Sequence, residues 1–385
     1  MTDAASPAAD LLVTAFTPTT DRGRALRTYG VVAALARHRP VDVLYKRFGA
    51  THPSEQYAQL TGVRLHEIAA SKGVGRALVY ARGRLAGVPR GEARGFSPEL
   101  ATAALKAARL PGRGRVIADG PTAAALLAGR GIGFIYLAHN VESSLRPMLP
   151  RFRHKYGSEP MLRRFERGLL LAARECWMAS RLDVGLAREL APQAQLRYVP
   201  NVVDVSAIRP PNGRVTAPRA LFLADYNYTP NLNALRFLVE QVMPRVWVSL
   251  PEAELLLAGH NLELSPETDS RVRPLGFVEQ VRDAYALARC VVVPLLEGGG
   301  SPLKFVEALA HGLPVIATGR AAAGLDVVDG IHYRRAEGPE AFAQALIDVL
   351  GAGAKEIGWR GRQLAERAYS IEALAAILQP QRGGA

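Results

Sequence analysis

The apolar positions of this 385-residue chain fall into two successive series of short hydrophobic runs, each run followed by a longer stretch of helical periodicity. In the first series the runs are 11–17, 41–45, 63–68, 116–118 and 134–138, too short and too continuous for helices, and they read as strands buried on both faces. Between them, segments such as 24–37 and 122–128 repeat apolar residues at three- and four-residue intervals and read as helices. The second series starts at Ala220. Strands are predicted at 220–224, 254–258, 291–294 and 315–318, and helices near 232–243, 279–288, 302–311 and 339–350. Strand–helix alternation implies a parallel sheet. The pattern therefore predicts an α/β protein of two doubly wound, Rossmann-like domains; two such open sheets facing each other across a cleft would place the loops at the carboxyl ends of both sets of strands at one ligand.

Pro210, Pro211, Asn212, Gly213 and Pro218 supply linker chemistry between the two series. The first domain is thus expected to span 1–205 and the second to begin at 206. The length agrees, because 385 residues exceed one ordinary core and suit two.

The most chemically suggestive stretch is 294–318, PLLEGGGSPLKFVEALAHGLPVIAT. It reads as a strand end, a glycine loop, a helix start, a Gly-Leu-Pro break at 312–314 and a second buried strand. Gly298, Gly299 and Gly300 allow close approach of the backbone to a ligand, and the amides that open the next helix have no intrahelical acceptor and carry the positive end of its dipole. Lys304 adds a full charge, and Glu307 follows at i+3 on the same face. The pair suits a ligand with an anionic end and a hydroxyl-bearing end. The run is neither GxGxxG nor the GxxxxGK[ST] of a P-loop, so a simple chain reversal, with Lys304 solvated and Glu307 its helical partner, stands beside the ligand reading.

As a whole, the run GGGxxLKxxEALAxGxPVIAT resembles the nucleotide-sugar signature of bacterial glycosyltransferase family four. Other segments match in the family's order: FIYLAHNVE at 134–142 resembles its HNxE segment, YVPNVVD at 198–204 its PNGVD, LFLADYNYTPNLN at 221–233 its first C-domain strand and PN loop, and PLGFV at 274–278 the strand end beside the base. The resemblance implies the GT-B fold, retention of anomeric configuration and a nucleoside-diphosphate sugar, UDP- or GDP-linked, as co-substrate. It places the donor at Gly23, Arg24, Asn231, Phe277, Gly299, Gly300, Ser301, Leu303, Lys304 and Glu307, and places His139, with Asn140 and Glu142, toward the donor sugar or acceptor. It also assigns 1–205 to the acceptor side and 206–356 to the nucleotide sugar, with 357–385 as a helix crossing back to the first domain. Arg22, Arg24 and Arg27 stand equally as a solvated helix face.

Two departures from the family pattern change the picture. Its first glutamate falls on Gly299, two residues after Glu297, and the Arg and Lys it often carries after the first C-domain strand fall on Asp225 and Asn231. The phosphate charge is therefore expected to rest on Lys304, the loop amides and Arg320 or an N-domain arginine. A nucleotide-sugar epimerase on the same fold, or a binding protein without turnover, are the competing readings.

Charge is uneven: residues 1–205 hold 30 Lys and Arg against 16 Asp and Glu, whereas 206–385 hold 18 against 19. Only six of the 48 basic residues are Lys, a bias that also fits a GC-rich genome. No helix-turn-helix, RRM or zinc signature accompanies the charge, so nucleic acid is not an expected partner. Basic and apolar residues interleave over 146–167, which suits an anionic membrane surface or a lipid-linked or polysaccharide acceptor; Pro147, Pro150 and Pro160 argue against one continuous helix there, and a small-molecule, natural-product acceptor stays open. No metal site is expected, since no DxD pair sits at a strand end. Neither a signal peptide nor a membrane-length apolar run is present, so a cytoplasmic protein, peripheral at most, is expected. Cys176 and Cys290 read as core residues.

Overall fold

The computed structural model describes residues 8–21, 23–47, 49–69, 74–85, 87–93, 95–145, 158–210, 217–298 and 300–379. Gly299, Arg22 and residues 146–157 of the basic segment lie outside them. The chain forms two compact units, Met1–Pro200 with Leu374–Ala385, and Asn201–Ala373.

The first unit holds a parallel sheet of β1 (Asp10–Thr14), β2 (Val41–Tyr45), β3 (Val63–Glu67), β4 (Val116–Asp119), β5 (Ile135–Leu137), β6 (Glu175–Met178) and β7 (Leu196–Tyr198), in the order 3-2-1-4-5-6-7. In the second, β8 (Arg219–Leu223), β9 (Glu254–Ala258), β10 (Val272–Gly276), β11 (Cys290–Val293), β12 (Val315–Ala317) and β13 (Arg334–Arg335) run parallel in the order 10-9-8-11-12-13. The central strands are buried along nearly their whole length, as continuous apolar runs require. Strand order reverses between β1 and β4 and between β8 and β11. Crossovers leave on opposite faces there, so the loops part and leave a crevice at the carboxyl ends of the strands.

Several expectations are corrected. β1 ends at Thr14 rather than 17, because the Thr14 hydroxyl accepts the Phe16 N–H (3.3 Å) and turns the chain out of the sheet. β6 and β7 have only four and three residues, too short to give a periodic signal of their own. The helix expected at 232–243 is Thr229–Arg236, a π-helical stretch Phe237–Val242 and a helix Met243–Ser249. Pro244 has no N–H for the preceding turn, which widens. In the basic segment a helix opens only at Glu159, with Pro160 in its first turn, where its missing N–H costs nothing; Ser158 caps that helix (Glu159–Ala172) by accepting the Met161 N–H.

The unit boundary falls at Pro200, short of 205, because Val205 is buried in the second unit's core and its carbonyl accepts from Arg362 Nη2 (3.0 Å). The C-terminal helix is two helices, Lys355–Ala368 and Ile371–Leu378. At the break the Asp326 N–H donates to the hydroxyl of buried Tyr369 (2.6 Å), and the Ser370 hydroxyl accepts the Ala373 N–H (3.0 Å). Only from Leu374 does the chain belong to the first unit, where the Leu378 carbonyl accepts from Arg115 Nη1 (2.6 Å).

Candidate functional site

In the second unit the glycine loop follows β11, and the helix Leu303–Ala310 follows the loop. Gly300 is buried with φ +74°, a conformation that side-chain-bearing residues rarely adopt, so glycine lets the loop turn into the helix here. The loop is pinned from several sides. Arg320 donates to the Gly298 carbonyl, Thr318 Oγ1 to the Leu295 carbonyl (2.6 Å), and Asn233 Nδ2 to Glu297 Oε1 (2.6 Å), so the Glu297 carboxylate is already engaged. The Ser301 carbonyl accepts from Asn201 Nδ2 (2.7 Å), a residue of the PNVVD segment. Pro302 stands at the N-cap and offers no side-chain acceptor, and no acidic residue lies in the first helical turn. Ser301 Oγ is buried without a hydrogen-bond partner. A helix start lacking both a side-chain cap and an acid, next to an orphaned hydroxyl, is set up to receive an anion.

Lys304 completes that chemistry. Its Nζ donates to Asn231 Oδ1 (2.9 Å) and lies 4.7 Å from the centroid of the Phe222 ring, while Asn231 Nδ2 donates to the Asp225 carbonyl (2.8 Å). Burial pushes the ammonium down to about 7 against the pull of Glu307 and Asp225. Its partners are a neutral amide and a ring face, so an arriving anion would not have to displace a carboxylate. One turn on, burial pushes the Glu307 carboxyl up to about 7, opposed by Tyr285 and Lys304. Leu303, the first helical residue, is buried against this start. Phe277, beyond β10, leaves 59% of its surface exposed while stacking on His260 (centroids 4.4 Å, 28°), a flat platform of the kind an aromatic base needs.

The first unit carries a separate constellation at its own switch point. A cleft of about 350 Å³ opens at the carboxyl ends of β1 and β4, lined by Thr14, Phe16, Arg24, Thr28, Tyr57 and Asp119 among others. Gly23 opens the helix Gly23–Ala36, which places Arg24 with its guanidinium 4.3 Å over the Phe16 ring. Arg24 Nε and Nη2 and the Tyr57 hydroxyl are buried without hydrogen-bond partners. Gly120 stands at φ +78°, a conformation that side-chain-bearing residues rarely adopt, and Arg24 Nη2 fills the space beside it where a Cβ would stand. His139, 8% exposed, brings Nε2 to within 2.8 Å of Asp119 Oδ1, which also accepts from Thr28 Oγ1 (3.0 Å).

The charge states follow from these contacts. Burial works to raise the Asp119 carboxyl, but His139, Arg24 and Thr14 hold it down at about 2. Burial and the Arg24 charge push His139 down to about 4 against the pull of Asp119, so near neutral pH the ring is neutral. Ionised Asp119 fixes the proton on Nε2 and leaves Nδ1, buried and without a partner, as an acceptor. Asn140 follows in the same loop, half-buried, and Glu142 heads the short helix Glu142–Leu145. The Glu142 and Ser143 amides donate to Glu166 (2.5 and 2.9 Å).

The structure therefore brings Asn231, Gly300, Ser301, Leu303, Lys304 and Glu307 together in the second unit, and Arg24 and His139 together in the first. Sequence reading missed Asp119, Tyr57, His260 and Tyr285. A carboxylate ending a buried strand before Gly-Pro was the available signal for Asp119; the aromatics gave none, because a buried ring at helical or loop spacing reads as core. Among the described residues no group of three or more His, Cys, Asp or Glu could hold a metal ion, and no helix is long and apolar enough to cross a membrane.

Residues 217–352 match the family model Glycosyl transferases group 1. That range takes in the glycine loop, Asn231, Lys304, Glu307 and the Phe277 platform. No curated protein matches the chain in sequence. Solved structures similar over nearly the whole chain include sucrose-phosphate synthase from Thermosynechococcus elongatus (TM-score 0.71, 16% identity, 96% of this chain and 97% of that one). Anabaena HepE, solved in complex with UDP and glucose, is similar at TM-score 0.69 and 13% identity, over 96% and 97% of the two chains. WaaG, a glycosyltransferase involved in lipopolysaccharide biosynthesis, gives 0.58 and 15%, over 97% and 100%. At these identities the likeness is one of fold, two parallel-sheet α/β domains of the GT-B kind.

Proposed function

We propose that the protein is a retaining, metal-independent hexosyltransferase that moves a sugar from a UDP- or GDP-sugar to a hydroxyl acceptor. The observation that carries this reading is Lys304 beside an uncapped helix start and the orphaned Ser301 hydroxyl, on a segment matched by the family model. Lys304 and the loop amides hold the diphosphate, Glu307 accepts from ribose hydroxyls, and the Phe277–His260 platform takes the base. In the transfer, the acceptor oxygen bonds to the anomeric carbon on the face from which the diphosphate leaves. The C–O electron pair departs with the phosphate oxygen, stabilised by Lys304 and the amides, and the acceptor proton passes to that oxygen.

In the first unit neutral His139 offers Nδ1 to a sugar hydroxyl, with Asn140 and Glu142 beside it. Gly23 and Arg24, which open the helix Gly23–Ala36, are the first unit's candidates for contact with donor phosphate. The acceptor reading rests on the helix Glu159–Ala172, which buries Leu162, Leu169 and Leu170 and exposes Arg163, Arg164 and Arg167. Such a face suits an anionic, lipid-linked acceptor at a cytoplasmic membrane surface.

Incubation with UDP-glucose and GDP-mannose in EDTA, followed by NMR of the products, tests the proposal. Release of nucleoside diphosphate with an α-linked or α-hemiacetal sugar from the α-donor supports it. Epimerisation at C2, binding without turnover, a β-product, or turnover restored only by Mg²⁺ or Mn²⁺ each contradicts a stated part.

A further inference from the structure

Tyr285 lies on the helix Val281–Leu287 and is fully buried, yet its hydroxyl is not left in the core. It reaches across to the neighbouring helix and donates toward Glu307 Oε2 (3.2 Å) and the Lys304 carbonyl (3.3 Å). Its ring lies nearly flat on that of His311, with centroids 4.3 Å apart and planes at 20°. His311 is the C-cap residue of the Glu307 helix and is itself buried. One aromatic side chain is thus held by its face to the end of the helix and by its hydroxyl to the carboxylate one turn earlier. A carboxylate on a half-buried helix face samples several rotamers unless a fixed donor selects one.

We infer that Tyr285, clamped against His311, is the positioning residue that aims the Glu307 carboxylate at the ribose hydroxyls of the bound nucleotide. The inference rests on the nucleotide-sugar reading of this site. The groups facing Glu307 are Lys304 on its own helix, Tyr285 from the helix packed against it, Asp225 across Lys304, and His311 behind the Tyr285 ring. Burial holds Tyr285 well above its ordinary range and His311 down at about 4, so both stay neutral near pH 7. Lys304 titrates in the same window as Glu307. Comparing two ligands that share a diphosphate cancels its contribution.

The test measures the dissociation constants of UDP and 2′,3′-dideoxy-UDP on the full chain from about pH 5.5 to about pH 8.5, bracketing the Glu307 carboxyl. In the wild type UDP binds more tightly, and that preference is lost as the pH falls through about 7. Tyr285→Phe keeps the ring on His311 but removes the hydroxyl that stabilises the carboxylate. The variant shrinks the preference roughly threefold or more and moves its loss to higher pH, because an unassisted buried carboxyl protonates sooner. Affinity for the dideoxy ligand stays within about twofold of wild type. His311→Leu, which removes the flat contact and leaves the hydroxyl, moves the preference in the same direction by less, and it carries the test if Tyr285→Phe does not fold. An unchanged preference and midpoint in both variants overturn the Tyr285 assignment alone. No ribose preference in the wild type removes the role of Glu307 and the inference with it; a protein that binds GDP and not UDP takes GDP and its dideoxy analogue in the same test, and failure to bind either diphosphate removes the nucleotide reading beneath both.

Discussion

The Lys304 ammonium donates to the Asn231 side-chain oxygen at 2.9 Å, so the cation at the glycine loop is held by a neutral amide rather than by an acid. Half-buried and without a carboxylate in hydrogen-bond contact, it is pushed down to about 7. A diphosphate would restore its usual basicity. UDP binding above about pH 7 is therefore expected to take up a proton, and affinity is expected to fall as the pH rises past that point. Calorimetry in two buffers of different ionisation enthalpy measures the uptake, and Lys304→Met should abolish it.

Asn231→Asp should strengthen the contact to Lys304 and weaken the site. A carboxylate at this distance keeps the ammonium charged but neutralises it toward phosphate. UDP affinity is expected to drop roughly tenfold or more, the scale of one charge-assisted hydrogen bond, while uridine affinity stays within about twofold. Parallel titrations of the two ligands check this.

His139 gives the first unit an acid-side instability. Its folded value near 4 lies below the unfolded value near 6.5, so its contribution to stability is complete above about pH 6.5 and is lost as the pH falls toward 4. Relative to His139→Gln, the wild type should lose up to roughly 3 kcal/mol across that window and nothing above it. Thermal or denaturant unfolding against pH, followed for both proteins, reads the difference. A constant difference between the two would show that the ring titrates alike in the folded and unfolded chain, and a wild type that gains stability as the pH falls would show that the folded ring is held charged.

The exposed arginines of the helix Glu159–Ala172 give a salt-dependent prediction. Arg163→Glu with Arg164→Glu should abolish binding to vesicles containing anionic lipid, or raise the acceptor KM, and leave UDP affinity intact. The effect should fade with added salt, since exposed charges are screened over about 8 to 10 Å near physiological ionic strength. Vesicle sedimentation at low and high salt distinguishes this from a solvated surface.

What the sequence disclosed, and what it hid, follows from the range of each interaction. Buried parallel strands such as Val41–Tyr45 and Cys290–Val293 announce themselves as continuous apolar runs, and Lys304 and Glu307 are legible because their loop and helix are contiguous in the chain. Leu196–Tyr198 offers only three residues, and the break at Tyr369 depends on contacts to Asp326 and Val203, far away in sequence. The same holds within the sites. His139 and Asp119 are separated by a helix and a strand, and Tyr285 meets Glu307 only once two helices pack, so neither pair has a local pattern to betray it. Pro160 is legible as a boundary, because proline is excluded from a helix interior but not from a first turn, and the helix starts at Glu159.

The most direct measurement is the dissociation constant of UDP and of GDP against that of their nucleosides, on the wild type and on Lys304→Ala. Removing a charged group that binds phosphate is expected to weaken the cognate diphosphate roughly 10- to 150-fold while leaving its nucleoside within about twofold, which places the donor diphosphate at the glycine loop. Equal loss for diphosphate and nucleoside, or no preference for either diphosphate in the wild type, would contradict the account.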